Sequence, residues 1–303
     1  MSRLQWMWVL LFGASVFSSC KNQSGDERPD RFDSGVLHIS CDESFKPVMD
    51  AQIQVYEAQY PAAKIIAHYK PEADCLRDFF VDTARLIVAT RGFSEKEKAL
   101  ISDSLHVAPE KYTVAYDAVA VIVNPQAADS FFTVKDLRDL VSGKAKKNLI
   151  PVFDGLKATS TVRFMLDSVL RGEPLGKNVV AAESSRGVID YVAKTQNAVG
   201  FLGIGWVGNA DDTLQRSYLQ KVRLARLEST DSVGGYVLPV QYLIYTRSYP
   251  LIRDLVCVLK ERYTGLANGF VNFLRSDRGQ LLFRRSYLYP AVRAFYSRET
   301  ILK

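Results

Sequence analysis

Repeated alternation of short apolar strands with helices is the feature that most constrains the fold of this 303-residue chain. After Gly35 the pattern predicts a strand over 36–40, a helix over 45–60, a strand over 64–69 and a further strand over 84–89. Such alternation indicates an α/β protein with mostly parallel, doubly wound sheets. Because ligands of such sheets bind at the carboxyl ends of the strands, we expect a site in the loops that follow them.

The second half of the chain continues this pattern with a strand over 149–153, a helix behind it and a glycine-interrupted strand over 198–206. The apolar runs near 112–124 and 236–246 read as extended connections between two lobes, and 251–263 is predicted as a helix that carries Cys257. We therefore predict two lobes: lobe I comprises 35–114 plus 237–303, and lobe II comprises 115–236.

The amino terminus reads as a targeting segment and not as part of the fold. Arg3 precedes an apolar run that is too short to span a bilayer comfortably, and small residues then lead to Cys20. This order predicts a signal peptide over 1–19. The small residues before Cys20 resemble a bacterial lipobox, which implies cleavage before Cys20 and lipid attachment to it. The polar stretch that follows predicts a lipidated tether over 20–34.

Charge and motif content exclude several classes of function. Loss of Arg3 with the signal lowers the net charge from +6 to +5, which suits an anionic ligand or membrane surface but is too small to indicate nucleic-acid binding. The three histidines lack metal-ligand spacing, and no catalytic or nucleotide-binding motif is present. We expect no enzyme activity, no metal and no cofactor. Whether Cys41 and Cys75 form a disulfide stays open at this stage.

The stretch from Phe153 to Leu166 carries the candidate site. A strand end, a short polar loop and Thr159-Ser160-Thr161 precede an amphipathic helix. Unpaired backbone amides and partial positive charge at a helix N-terminus can hold an oxyanion. Ser and Thr are also ordinary capping residues, and the segment by itself favours a plain cap over a ligand site.

Four longer motifs, spread over most of the chain, resemble those of a known family. They are 116–124 (YDAVAVIVN), 133–144 (TVKDLRDLVSGK), 198–203 (AVGFLG), and 240–246 (VQYLIYT) with 270–280 (FVNFLRSDRGQ). In this order the chain resembles the PstS-like phosphate-binding family of ABC-transporter solute-binding proteins. The resemblance implies a two-lobed type II periplasmic binding fold and a monomer that closes on phosphate or a related oxyanion. It further implies delivery to an ABC permease in the inner membrane of a Gram-negative-type envelope.

The resemblance also implies ligand residues in loops that follow the strands. Ser44 and Phe45 match a hydroxyl and a backbone amide at the first helix N-terminus, and Thr90 and Arg91 match the loop after the third strand. In the second lobe the matching positions are Thr159, Ser160 and Thr161, with Asp154 as an upstream acid and Lys157 as a compensating cation. An Asp can accept a hydrogen bond from protonated phosphate. A solvated turn residue is the alternative for Asp154.

Three departures from the family pattern support a second interpretation. The loop expected after the second strand reads Glu72-Ala73-Asp74-Cys75, where carboxylates would repel a dianion unless cations offset them. Ser160 replaces the middle glycine of the second-lobe motif, and the usual upstream arginine is absent. The alternative function is an envelope lipoprotein that uses the same fold as a sensor or protein-interaction module with an altered pocket.

Overall fold

The computed structural model describes residues 30–80, 84–156, 159–261 and 263–292. The predicted signal peptide 1–19, Cys20 and the tether up to residue 29 lie outside the described residues. The strands are β1 Ser34–Asp42, β2 Ala62–Lys70, β3 Leu86–Ala89, β4 Glu110–Val123, β5 Phe131–Phe132, β6 Ile150–Phe153, β7 Val180–Ala181, β8 Ala198–Gly203, β9 Arg223–Leu224, β10 Arg226–Glu228, β11 Tyr236–Val237, β12 Ile252–Leu259 and β13 Tyr289–Pro290.

Helices separate most of these strands, as the alternation predicts. They are α1 Lys46–Gln59, α2 Glu72–Asp78, α3 Glu95–Leu105, α4 Val134–Val141, α5 Ser160–Phe164, α6 Ser185–Lys194, α7 Thr213–Leu219, α8 Gln241–Tyr245, α9 Leu266–Arg275 and α10 Asp277–Arg285. A π-helical turn, Met165–Val169, continues directly from α5. Within the described ranges, no helix combines the length and apolar character that a bilayer crossing requires.

The main sheet has the strand order β2-β1-β3-β12-β4-β8-β6-β7. Strands β1, β2 and β3 pair in parallel and are called the first half-sheet below, whereas β6, β7 and β8 pair in parallel and are called the second half-sheet. The long strand β4 joins them, because its first part pairs antiparallel with β12 and its last five residues pair with β8. Strand β12 also pairs antiparallel with β3. The carboxyl ends of β1 and β3 therefore lie near those of β6 and β8.

The structure corrects three local predictions. The run 251–263 is not a helix, because Ile252–Leu259 forms the central strand β12. A short apolar run fits a doubly buried strand as well as a helix. The run 236–246 is extended only at Tyr236–Val237, and α8 follows. Residues 72–75 are not a loop but the start of α2. The lobe boundaries at 114/115 and 236/237 remain predictions.

One apolar core runs through both half-sheets. In the second half-sheet the rings of Phe153 and Phe201 stack with centroids 4.6 Å apart. Beneath the first half-sheet, Tyr56 of α1 packs edge-on against Phe270 and Phe273 of α9. Burial of such rings contributes on the order of 2–3 kcal/mol each. This continuous packing fixes the strand ends that carry the polar site.

Candidate functional site

The first part of the site forms where β1 ends. The Asp42 carboxylate accepts a hydrogen bond from the Ser44 amide at 3.0 Å, which caps the short helical turn Glu43–Phe45. Ser44 and Phe45 are almost completely buried. The indole of Trp206 donates to the Ser44 carbonyl at 3.0 Å, so the loop is held from the end of β8. The turn therefore presents the Ser44 hydroxyl towards the second half-sheet.

The second part of the site is the start of α5. Thr159 is its N-cap, and the Thr159 hydroxyl accepts from the Val162 amide at 3.3 Å. The next two residues, Ser160 and Thr161, are fully buried. The Ser160 Oγ lies 3.2 Å from the Ser44 Oγ. The structure thus brings together the two hydroxyl-bearing loops that the sequence predicts on separate halves, and it gives Thr159 the capping role.

Arg253 lies at the centre of this cluster, and sequence reasoning missed it. Its Nε donates to Asp117 Oδ2 at 2.8 Å, and its Nη1 donates to the hydroxyls of Ser160 at 2.9 Å and Thr161 at 3.2 Å. The guanidinium lies over the ring of Phe45, 5.2 Å from its centroid, and this cation–π contact stabilises the positive charge. Its Nη2 is buried and has no hydrogen-bond partner. Arg253 therefore binds both half-sheets and keeps one donor free.

Gly203, at the end of β8, makes room for this arginine. A Cβ added at Gly203 would lie 3.0 Å from the Arg253 Nη2 and 3.2 Å from Asp117 Oδ2. Contacts this short would force the ion pair to shift, so the close approach requires glycine. The signal that could have revealed the site is a charged pair, Arg253-Asp254, inside an otherwise apolar run, because an arginine in a buried strand needs a partner.

A second ion-paired group, formed by Glu72, Thr90 and Arg163, joins α2 to α5. Glu72 of α2 accepts from the Thr90 amide at 2.8 Å and hydroxyl at 2.5 Å, and its other oxygen accepts from Arg163 Nε at 2.6 Å. Arg163 also donates to the Thr90 hydroxyl at 2.6 Å. Burial alone would raise the pKa of the Glu72 carboxyl, but the bonds from Arg163 and Thr90 hold that pKa below its ordinary value. The carboxylate expected to repel an anion is therefore already neutralised.

The other predicted residues have different environments. Arg91 donates to both carboxylate oxygens of Glu97, at 2.9 and 3.1 Å, so Arg163 and not Arg91 is the arginine that reaches Thr90. Lys157 lies outside the described residues. Asp154 is only 9% exposed, which contradicts a solvated turn. Cys41, Cys75 and Cys257 are buried free thiols, and Cys257 is on β12.

Burial raises the pKa of three carboxyls in this region. Burial and then the nearby charge of Glu72 raise the pKa of Asp42 to about 6, against the lowering effect of Arg253. Burial and then the charges of Asp42 and Glu43 raise the pKa of Asp154 to about 7. Burial also raises the pKa of Asp117, although its ion pair with Arg253 opposes this. The site therefore combines one fixed cation, several hydroxyl donors and carboxyls that can hold protons near neutral pH.

The chain is similar to several proteins that are described as binding or transporting phosphate. The phosphate-binding protein PstS of Borreliella burgdorferi is 18% identical over 288 residues, which cover 90% of this chain and 93% of that protein. A crystal structure from Clostridium perfringens, described as a phosphate ABC transporter substrate-binding protein with bound phosphate, has a TM-score of 0.71 at 19% identity and covers 85% of this chain and 100% of its own. An ABC-type phosphate transport receptor from Vibrio cholerae has a TM-score of 0.62 at 16% identity, with 84% and 99% coverage.

These likenesses confirm the predicted type II fold and the resemblance to PstS-like solute-binding proteins, while their low identities show the fold alone. A family model carries the assignment further. The model described as a PBP superfamily domain matches residues 26–278, which include Ser44, Asp117, Ser160, Thr161 and Arg253. The chain belongs to the PBP superfamily.

Proposed function

We propose that this protein is a solute-binding protein that captures phosphate or a related oxyanion between the two half-sheets and delivers it to an ABC permease. The observation that carries the proposal is Arg253, whose Nη1 donates to the hydroxyls of Ser160 and Thr161 and whose Nη2 is buried without a hydrogen-bond partner. A buried guanidinium with fixed partners is suited to bind an oxyanion. The relatives named above, whose descriptions refer to phosphate, supply the ligand class.

The hydrogen-bond directions fit this role. Since the Ser160 and Thr161 oxygens accept from Arg253, each hydroxyl keeps its own proton to donate, and the Ser160 hydroxyl donates to Asp42 while no anion is bound. Ser44 faces Ser160 from the first half-sheet, so an anion held by these groups would bridge the two halves. A ligand that contacts both halves stabilises the closed arrangement by the difference in its affinity for the two states.

The structure allows the hydroxyl contribution to be separated from helix capping. Replacing Ser160 with Ala and Thr161 with Val removes two donors, and we expect phosphate affinity to fall about 100-fold, since each lost donor to a charged group costs roughly 1.5 kcal/mol. Thr159→Ala removes the cap and the hydrogen bond from Thr159 to Asp154, and we expect it to lower stability by about 1 kcal/mol with a smaller change in affinity than the double substitution. Titration calorimetry and thermal melting of the purified variants measure the two effects.

Loss of stability with unchanged affinity in the Ser160/Thr161 variant would instead assign these residues to the fold alone. One observation favours the alternative function as a sensor or protein-interaction module. Three buried carboxyls, those of Asp42, Asp117 and Asp154, lie near a single buried arginine, Arg253. No heat on titration of the unmodified protein with millimolar phosphate would favour that alternative.

The proposal includes a location in the cell. The protein would act as a monomer on the periplasmic side of a Gram-negative-type envelope, held there by lipid on Cys20. A Cys20→Ala variant is therefore expected to move from the membrane fraction to the soluble fraction, because the tether would carry no acyl chains. Fractionation followed by immunoblotting measures this, and a variant that stays with the membrane would contradict lipid anchoring at Cys20.

A further inference from the structure

The group formed by Glu72, Thr90 and Arg163 has the composition of a filled oxyanion site. Oε1 of Glu72 accepts from the Thr90 amide at 2.8 Å and from the Thr90 hydroxyl at 2.5 Å, and Oε2 accepts from Nε of Arg163 at 2.6 Å. A backbone amide, a hydroxyl and a guanidinium are donors that proteins use to bind carboxylate and phosphate oxygens. Here all three converge on a carboxylate that belongs to the chain itself.

The Glu72 carboxylate is buried, charged and fully paired. Glu72 is only 2% exposed, and a glutamate is rarely buried to this extent without a partner. The bonds from Arg163 and Thr90 hold its pKa below the ordinary value, so it is ionised at neutral pH. Arg163 keeps 32% of its side chain exposed, which limits the cost of desolvating the pair. Since both oxygens of Glu72 already accept hydrogen bonds, this group needs no solute to complete it, in contrast to Arg253.

The same bonds join the two halves of the molecule. Glu72 begins α2 after β2, and Thr90 follows β3, so both extend from the first half-sheet, whereas Arg163 lies on α5 after β6 of the second half-sheet. A second carboxylate makes a similar contact, because Glu43, which follows β1, accepts from the Ser185 hydroxyl at 2.7 Å and amide at 3.3 Å at the start of α6. Carboxylates of the first half therefore hold donors of the second half directly.

We propose that Glu72 is a built-in anionic ligand, whose carboxylate fills a second oxyanion site formed by Thr90 and Arg163 and closes the two half-sheets on each other without a solute. This inference does not rest on the proposed function, because it concerns what holds the halves together before any solute arrives. Thr90, which the family resemblance assigns to the solute, then serves Glu72 instead. A solute that enters between the halves requires these bonds to open, so Glu72 lowers the population of the form that accepts it and lowers the apparent affinity by the same fraction.

Small-angle X-ray scattering of the purified protein in phosphate-free buffer tests this closure. We expect Glu72→Ala to have a radius of gyration about 1 Å larger than that of the unmodified protein, because the two halves separate when the carboxylate is lost. Acetate contains the atoms that this substitution removes from the side chain. Excess sodium acetate should therefore bind to Thr90 and Arg163 in the Glu72→Ala variant and restore the smaller radius, whereas sodium chloride at the same concentration should not.

Two further variants control this experiment. Glu72→Gln keeps the volume of the side chain, so it remains informative if the alanine variant does not fold. Its neutral amide should also let the halves separate, but acetate should not close them, because the amide still occupies the site. Glu173→Gln breaks an exposed ion pair with Lys144, between the segments that follow α5 and α4, and should leave the radius unchanged. Thermal melting confirms that each variant is folded.

Two results would overturn the role of Glu72. If folded Glu72→Ala and Glu72→Gln both had the radius of the unmodified protein, Glu72 would not be what closes the halves. If chloride reproduced the acetate effect, or if Glu72→Gln also responded to acetate, the effect would be a general response to salt and there would be no second oxyanion site at Thr90 and Arg163. None of these measurements involves phosphate, so their outcome is independent of whether the protein binds it.

Discussion

An Arg253→Lys variant is expected to bind phosphate about 100-fold or more weakly than the unmodified protein. Arg253 donates to Asp117, Ser160 and Thr161 at once and keeps a further buried nitrogen free. A lysine ammonium has a single nitrogen and cannot reproduce this fork, so either the ion pair or the contact with the anion is lost. Truncating one partner of a buried, hydrogen-bonded charge pair costs 2–5 kcal/mol or more in binding. Titration calorimetry with phosphate measures the loss.

Lysine is preferred to alanine for this test because it keeps a positive charge near the buried Asp117. Removing the charge would leave Asp117 uncompensated at a cost of about 3–5 kcal/mol and could prevent folding. Arg275→Lys on the exposed face of α9 is the matched control, since Arg275 lies over the ring of Tyr112 there. Thermal melting confirms that both variants fold. Unchanged phosphate affinity in Arg253→Lys would remove the central support for the proposed site.

Local rules account for most of the secondary structure. A capping box of Ser94 and Glu97, whose Ser-x-x-Glu spacing is visible in the sequence, begins α3 with both reciprocal hydrogen bonds present. Strands such as β1 and β6 follow from apolar runs bounded by polar turns. The failure at β12 has a physical cause, because a central strand covered on both faces shows no alternation. Its assignment depends on strand partners more than 100 residues away, which local patterns do not contain.

Part of the candidate site could also be predicted from local sequence patterns, and part depends on residues that are distant in the chain. The loop positions of Ser44, Ser160 and Thr161 could be predicted, because hydroxyls at strand ends and helix starts are visible in the sequence. Arg253 is visible in the sequence only as a charge inside an apolar run, and its pairing with Asp117 could not be predicted, because that pair forms across β4 and β12 at 2.8 Å. The same limit applies to Glu72, whose repulsion was expected and whose neutralisation by Arg163 comes from a residue 91 positions away.

Stability in the absence of ligand should fall as pH rises from about 4 to about 7. The pKa of Asp154 is raised to about 7 in the folded state, whereas an unfolded Asp titrates near 4. Between these values the folded protein holds a proton that the unfolded chain has released, so a rise in pH favours unfolding. The loss attributable to Asp154 is on the order of 4 kcal/mol and is complete above its folded pKa. Glu72 has the opposite sign, because its lowered pKa supplies stability that disappears only below about pH 4.

Asp154→Asn isolates this effect, since asparagine has a similar shape and does not titrate. At about pH 8 the variant should be more stable than the unmodified protein by a few kcal/mol, which corresponds to a melting temperature several degrees higher. Near pH 4, where the unmodified carboxyl is protonated in the folded state, the difference should disappear. Melting curves in phosphate-free buffers across this range measure it, with Asp103→Asn as the exposed control. Parallel pH profiles for the Asp154 variant and the unmodified protein would show that Asp154 is ionised in the folded protein throughout, and the free energy needed to bury its charge would have to be supplied by Arg253.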